Sequence, residues 1–411
     1  MPPEAARWRA FTGLFASVVE PAGFGFVIPP MFEDVGVFSR LGAATDVVTK
    51  EMYDFVDKGD RHVALRPEQT ASICRAFAQH RPLTPWKVWY SGPNFRYEKP
   101  QAGRYRQFDQ VGVEVLGSDD ALLDAEVAAL AWNFFALLGL RGITLRVNSL
   151  GDAPDRAAYT EALRSHFASH PSGLAPETME TLERNPLRVL DSKRPADAAA
   201  VASAPRIGEF LCSDAREHFG RFLSGLDVLG VPYTVDELLV RGLDYYRRST
   251  FEFVATSLDG AQNAVGGGGR YDGLVEELGG PATGGVGFAI GVDRTLLACD
   301  AEQVFAAPLQ AVDVFVVDTT GGEIAHAVVA ELRAAGHSAD RAFDGRSMKS
   351  QMKSADRSGA RVAVIIGSDE AAAGTCTVRN LADSEQSVVA RSGLVARIGA
   401  ILGAPDKRET T

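Results

Sequence analysis

Blocks of strand-like and helix-like sequence alternate along this chain, and their order restricts the fold more than any single motif. From the start to about Ser149 the apolar runs are short and of β type: Gly23–Phe32 entering a proline-limited turn, Val63–Leu65, Val88–Tyr90 and Phe108–Leu116. In the last of these, Val111, Val113 and Val115 alternate with Gln110, Gly112 and Glu114, so one face is apolar and the other is free for ligand or solvent. Ser118-Asp-Asp then caps a long apolar helix reaching about Leu138. From Asp152 to about Leu229 the pattern is helical and broken at prolines, which predicts helices over Ala157–Ser169, Ala175–Arg184 and Ala204–Leu229. Strand signals return at Leu238–Arg241, Thr250–Ala255, the glycine-rich Val265–Gly273 and Val286–Ile290. Two strand-rich stretches around a helical one read as a single α+β body with a helical insertion.

After the linker that begins at Ala306, strands at Val312–Val317 and Val362–Ile366 alternate with helices at Ile324–Ala335 and Ser347–Ser358. This βα alternation predicts a small, separate α/β domain. The whole chain, at 411 residues, is long enough for several domains at roughly 100–200 residues each. Its longest apolar stretch, near Ala128–Leu140, falls short of the ~20 residues that span a bilayer, so no membrane segment is expected. Cys74, Cys212, Cys299 and Cys376 are far apart, with no CxxC, which supports neither a disulfide framework nor a zinc site and suits a reducing, cytoplasmic setting. The net charge of −11 argues against a non-specific nucleic-acid binder, although a local basic patch stays possible.

The densest polar constellation is Phe95–Glu114. Arg96, Lys99, Arg104 and Arg106 gather at a loop between two strands, and Gln110 and Glu114 follow on the second strand. Guanidinium forks match phosphate oxygens, so this reads as a polyphosphate clamp or, more blandly, as a charged hairpin with solvated arginines. Arg241-Gly-Leu-Asp-Tyr245-Tyr246 sets a cation and two phenols around a small polar ligand, or is a turn with packed tyrosines. Gly266–Gly273 fits neither a Walker loop nor a dinucleotide fingerprint; it reads as a tight turn or a place where backbone approaches a ligand. Gly284–Arg294 lets backbone close over a flat ring, or merely packs a strand on a helix. Glu68-Gln69-Thr70 ends a strand and starts a helix, with Thr70 as the expected N-cap and Glu68 free for an ammonium group. Arg346, Lys349, Lys353 and Arg357 line one helix face, either as phosphate contacts or as a solvated stripe.

Taken in order, these segments resemble histidyl-tRNA synthetase, a class II aminoacyl-tRNA synthetase family, over nearly the whole chain. Pro30–Glu33 with Thr45-Asp46 and Lys50–Tyr53 is similar to motif 1, Phe95–Glu114 to motif 2 and Gly284–Arg294 to motif 3. Arg241–Tyr246 and Gly268–Gly273 resemble the two histidine-specific segments, Asn185–Asp191 and Leu211–Phe219 the helical insertion, and Ser347–Lys353 the anticodon-binding domain. The resemblance implies an antiparallel class II sheet and a catalytic domain over 1–151 and 231–305, with the insertion at 152–230 and the anticodon-binding domain at 310–411. It implies a homodimer that uses ATP and Mg2+ to join L-histidine to tRNA(His) through histidyl-adenylate. Arg96 and Arg241 would hold the α-phosphate, Arg294 the γ-phosphate, with Arg104 also on ATP. Glu68, Gln69, Thr70, Gln110, Glu114, Tyr245, Tyr246 and Tyr271 would surround the amino acid. Gln101 and Arg106 would meet the acceptor end of the tRNA, Lys349 and Lys353 its backbone elsewhere. No protein zinc site is implied. The alternative is a non-catalytic, synthetase-like regulatory subunit of ATP phosphoribosyltransferase, which usually lacks the last domain and has eroded motifs.

Overall fold

A computed structural model of the chain describes residues 1, 3–39, 47–170, 174–258, 263–308 and 311–403. Thr45 and Asp46 of the motif 1 resemblance lie outside the described residues. The chain divides into two compact units, Trp8–Ala306 and Ala307–Thr411, the latter together with Met1–Arg7.

The larger unit is built on an eight-stranded sheet. In spatial order its strands are Gly25–Phe26, Trp86–Phe95, Gln107–Leu116, Gly285–Gly291, Ala264–Arg270, Arg247–Ala255, Ile143–Ser149 and Thr234–Val235. The six central strands pair antiparallel, and only the two-residue edge strands run parallel to their neighbours. The expected antiparallel sheet is therefore present, and its strands do come from both sides of the helical block.

Alternation explains which face is which. Val111, Val113 and Val115 are at most 1% exposed and join a core with the helix Ala121–Leu137, whose Ala128, Ala131 and Phe134 are fully buried. Asp120 caps that helix by accepting from the Leu122 N–H at 3.1 Å. The opposite face carries Gln110, Gly112 and Glu114. It is not open to bulk solvent as alternation alone suggests, because Glu114 is 1% exposed.

The helical block starts at Asp152 as expected, but its first helix begins four residues before the expected Ala157. Its first helix is Ala153–Ser169, opened by Pro154 in the first turn and by Asp155, whose carboxylate accepts the Asp152 N–H at 3.0 Å. The expected helix from Ala204 begins only at Ser213, after Pro205 and a 3-10 turn at Ile207–Glu209. That last helix, Ser213–Val228, lies along Ala121–Leu137 and sends Phe222 and Leu226 into the main core. The insertion thus shares a hydrophobic core with the sheet.

The smaller unit has a five-stranded sheet in the order Ala339–Arg341, Val314–Asp318, Val362–Ile366, Thr375–Asn380, Gln386–Ala390. The first three strands are parallel and the last two antiparallel. Helices Glu323–Ala334 and Leu394–Leu402 bury Val328, Leu332 and Ile398 against Val314, Val316, Val362 and Val364. The α/β expectation holds, with an antiparallel hairpin added that its mixed polar sequence did not announce.

Candidate functional site

The polar face of the large sheet forms the floor of a cavity of about 450 Å³. Sheet register determines what meets there. Glu114 stands opposite Gly287, and Gln110 stands opposite Gly291, from which the helix Val292–Glu302 carries Arg294. Arg96, Arg104, Arg241 and Arg294 line this one cavity together with Glu68, Thr70, Gln110, Glu114, Tyr245, Tyr246 and Tyr271.

Glu114 is the centre of the acid-and-phenol part. Its Oε1 accepts from the Thr70 hydroxyl at 2.6 Å and from Tyr90 at 3.5 Å, and its Oε2 accepts from Tyr271. Burial pushes its pKa up to about 8, only partly opposed by the Thr70 and Tyr271 hydrogen bonds. Tyr245 packs between the other phenols, with ring centroids 4.6 Å from Tyr246 and 5.7 Å from Tyr271.

The cationic part is held in place by partners the sequence did not single out. Arg241 Nη1 donates to Glu252 at 2.8 Å, and its guanidinium lies over the Tyr246 ring. Burial works against its charge, yet Glu252 keeps it above the ordinary arginine value. Arg294 donates to the Gly103 and Ala264 carbonyls, both at 3.1 Å. Burial, and then the nearby Arg104 and Arg96 charges, pull Arg294 below its usual value, a repulsion that a bound polyanion would relieve. Arg104 pairs with Glu98, and Arg96 donates to the Pro67 carbonyl at 3.0 Å while lying over the Phe108 ring.

The glycine runs make this crowding possible. Of the two readings of the glycine run, the tight turn does not form: Gly266–Gly269 lies in a central strand, and Gly266 and Gly267 line the cavity. A Cβ on Gly267 would sit 2.5 Å from Arg241 Nη2, and one on Gly287 would overlap Glu114 Oε2. Strand glycine here leaves room for a functional side chain lying across the sheet.

Two expectations need correction. Thr70 is not the N-cap: it is the first residue of the helix Thr70–His80, and its hydroxyl goes to Glu114 instead. The helix start is satisfied by Glu68, whose carboxylate accepts the Thr70 and Ala71 N–H groups at 2.7 and 2.9 Å. Gln69 is fully buried, donates to the Gly92 carbonyl at 3.3 Å and does not line the cavity. Gln110 does line it, with Oε1 accepting from Asn94 at 2.8 Å.

Gln101 and Arg106 lie outside the cavity on an exposed loop, where Gln101 bridges to Arg104 and Arg106 stacks 4.1 Å from the Tyr97 ring centroid. Lys349 and Lys353 are exposed on the helix Met348–Arg357 of the smaller unit, opposite its buried Gln351 and Ala355. Arg346 precedes that helix, so the stripe is shorter than expected. Also missed were Glu252, Glu98, Tyr90 and the insertion residues Arg188 and Asp191, all on the cavity wall. Glu252 had a signal, as the one charge inside the apolar strand Thr250–Ala255.

Among the described residues, Asp152, Asp155 and Cys212 bring possible metal ligands within 4.8 Å of one another. Both carboxylates are already engaged: Arg248 forks onto Asp152 at 2.7 and 3.0 Å, and Asp155 accepts the Asp152 and Cys212 N–H groups. This trio reads as a helix cap.

Two family models match the chain: "Histidyl-tRNA synthetase" over residues 1–295 and "Anticodon binding domain" over 303–401. A histidine–tRNA ligase from Rhodococcus erythropolis is 48% identical over 406 residues, 97% of this chain and 95% of the relative. The crystal structure of apo Staphylococcus aureus histidyl-tRNA synthetase is similar with a TM-score of 0.81 and 33% identity, covering 97% of each chain. A Bacillus halodurans protein described as an ATP phosphoribosyltransferase regulatory subunit/histidyl-tRNA synthetase shares the fold, with a TM-score of 0.63 at 19% identity over 90% of this chain and 96% of that one.

Proposed function

Because the chain belongs to the histidyl-tRNA synthetase family and joins histidine to tRNA(His) with ATP, we propose that its central cavity binds histidine and ATP side by side and forms histidyl-adenylate there. One observation carries this reading. Three arginines far apart in sequence, Arg96, Arg241 and Arg294, share a cavity with a buried Glu114 surrounded by hydroxyl groups.

The histidine carboxylate is already a nucleophile, so no strong protein base is needed. One carboxylate oxygen attacks the α-phosphorus in line, and diphosphate leaves with the bonding electron pair. Arg96 and Arg241 hold the α-phosphate as charge develops, and Arg294 with Arg104 holds the far end of the triphosphate. In the second step the terminal ribose hydroxyl of tRNA attacks the acyl carbon, and AMP leaves. Gln101 and Arg106 meet that end of the tRNA from the exposed loop, and Lys349 and Lys353 contact its backbone elsewhere.

Glu68, Thr70 and Gln110 receive the ammonium and carboxylate ends of histidine. The imidazole, with one donor and one acceptor, is read by Glu114 and a tyrosine hydroxyl from Tyr245, Tyr246 or Tyr271. A side chain lacking either group leaves a buried partner unsatisfied, which rejects it without editing. Mg2+ would neutralise the triphosphate. The buried Asp293 Oδ2 on the cavity wall has no hydrogen-bond partner among the described residues and fits such a cation.

A homodimer is supported by exposed apolar side chains around the motif 1 segment, including Phe26, Ile28, Met31, Phe32, Phe55 and Val56. A cytoplasmic location suits the free cysteines. The regulatory-subunit alternative has less support, since both the arginines and the anticodon-binding segment are present.

ATP–pyrophosphate exchange with each of the twenty amino acids tests the reading. Histidine alone is expected to drive exchange, and Arg241→Ala to slow it by orders of magnitude while the protein stays folded. No exchange with histidine, or full exchange by Arg241→Ala, overturns it.

A further inference from the structure

The segment 241–246 supplies Arg241, Tyr245 and Tyr246 to the cavity, yet it belongs to no helix or strand. Irregular backbone leaves carbonyls that need partners, and side chains within such a segment are only as well placed as the backbone beneath them. Here the partners come from the helical insertion. Arg156, on the helix Ala153–Ser169, donates through Nη1 to the carbonyls of Asp244 at 2.6 Å and Tyr246 at 3.2 Å. Its Nη2 also lies 3.7 Å from the Asp244 carboxylate. Asn185 donates to that carboxylate at 3.0 Å, and Arg188 donates to the Gly242 carbonyl at 2.5 Å. Three side chains from the insertion thus grip Gly242, which follows directly on Arg241, Asp244, which precedes Tyr245, and Tyr246 itself.

Resting on the reading that this cavity activates histidine, we propose that Arg156 and Asn185 are positioning residues, and that the insertion, with Arg188 also reaching the cavity wall, sets the reactivity of the site by clamping the 241–246 segment. Arg156 is set back from the substrate cavity. It lines a separate cavity of about 440 Å³ bordered by Tyr245 and Arg247, and is absent from the wall of the substrate cavity. Its effect passes through the backbone of the segment. Asn185 has a second task that must be kept in any test, since its side-chain oxygen accepts the Leu187 N–H at 3.2 Å and caps the following turn.

The experiment compares the full-length wild type with Arg156→Gln, Arg156→Lys and Asn185→Asp. Asn185→Asp retains the capping oxygen but faces Asp244 with a like charge. Histidine-dependent ATP–pyrophosphate exchange is measured per titrated active site, alongside amide hydrogen exchange. A lost charge-assisted hydrogen bond corresponds to roughly tenfold or more, so Arg156→Gln is expected to lower kcat/KM for histidine by about that factor. Amides of residues 241–247 are expected to exchange faster while the central strands keep their protection. Arg156→Lys restores part of the loss, and Asn185→Asp moves both readouts the same way. Wild-type kcat/KM per active site in Arg156→Gln, with only the melting temperature lowered, overturns the proposal. If Arg156→Gln does not fold, unchanged kinetics in Asn185→Asp overturns it alone. A wild type that exchanges no pyrophosphate with histidine sinks the underlying reading instead, a result distinct from either.

Discussion

Replacing Glu114 by glutamine separates what this carboxyl does for the ligand from what it costs the fold. Burial raises its pKa from an ordinary 4.5 to about 8. The folded pKa lies above the unfolded one, so between these values the native state holds a proton that the unfolded chain has released. Stability from this group is complete below pH 4.5, falls as pH rises through the interval, and levels off above pH 8. A shift of that size corresponds to a loss of about 5 kcal/mol by pH 9. Glutamine cannot ionise, and its amide can still meet Thr70 and Tyr271. Calorimetry of the ligand-free protein from pH 5 to pH 9 is therefore expected to show Glu114→Gln gaining on the wild type as pH rises. The gap in the melting transition of the larger unit reaches roughly 10 °C at the alkaline end. If Glu114 reads the imidazole as proposed, histidine activation falls by at least about tenfold, because glutamine can neither give a proton to the ring nor take up charge beside it. Parallel pH profiles for the two proteins would refute the argument that Glu114 is buried and held protonated in the empty site.

Gly267→Ala drives its methyl into the Arg241 guanidinium at 2.5 Å, so pyrophosphate exchange falls about a hundredfold with a small change in melting temperature. Gly287→Ala also meets the Val113 carbonyl and is expected to destabilise the sheet as well as abolish activity; thermal melts distinguish the pair. Asp124→Ala leaves Arg270, which is fully buried and forks onto Asp124, without its main counter-charge; urea unfolding should show a loss of about 3–5 kcal/mol. Reversing Lys349 and Lys353 to glutamate raises KM for tRNA roughly tenfold, lowers the salt dependence of binding and spares adenylation; equal loss in both steps refutes that division of labour.

Local chemistry makes much of this molecule legible in its sequence. The alternation of Val111, Val113 and Val115 with Glu114 assigns the two faces of a strand, because side chains in a strand point to opposite sides and burial selects the apolar set. Asp120 announces its helix, since a cap depends on residues two or three positions away. The order of strand-rich and helical blocks foretells a sheet interrupted by an insertion, while only the resemblance to the synthetase family brings Arg96, Arg241 and Arg294 together as candidates for one site.

Other features depend on which distant backbone lies alongside. Glycine has no side chain to signal strand or turn, so Gly266–Gly269 became a strand only through its two partner strands. Thr70 had two possible uses for its hydroxyl, and the nearness of Glu114, 44 positions away, decided between them. Glu252 and Glu98 as counter-charges, and the grip of Arg156, Asn185 and Arg188 on the 241–246 segment, likewise arise from sheet register and packing across long stretches of chain. Periodicity and capping act over a few residues, so the sequence alone carries them; the meeting of charges inside the cavity is a property of register, and only the folded sheet supplies it.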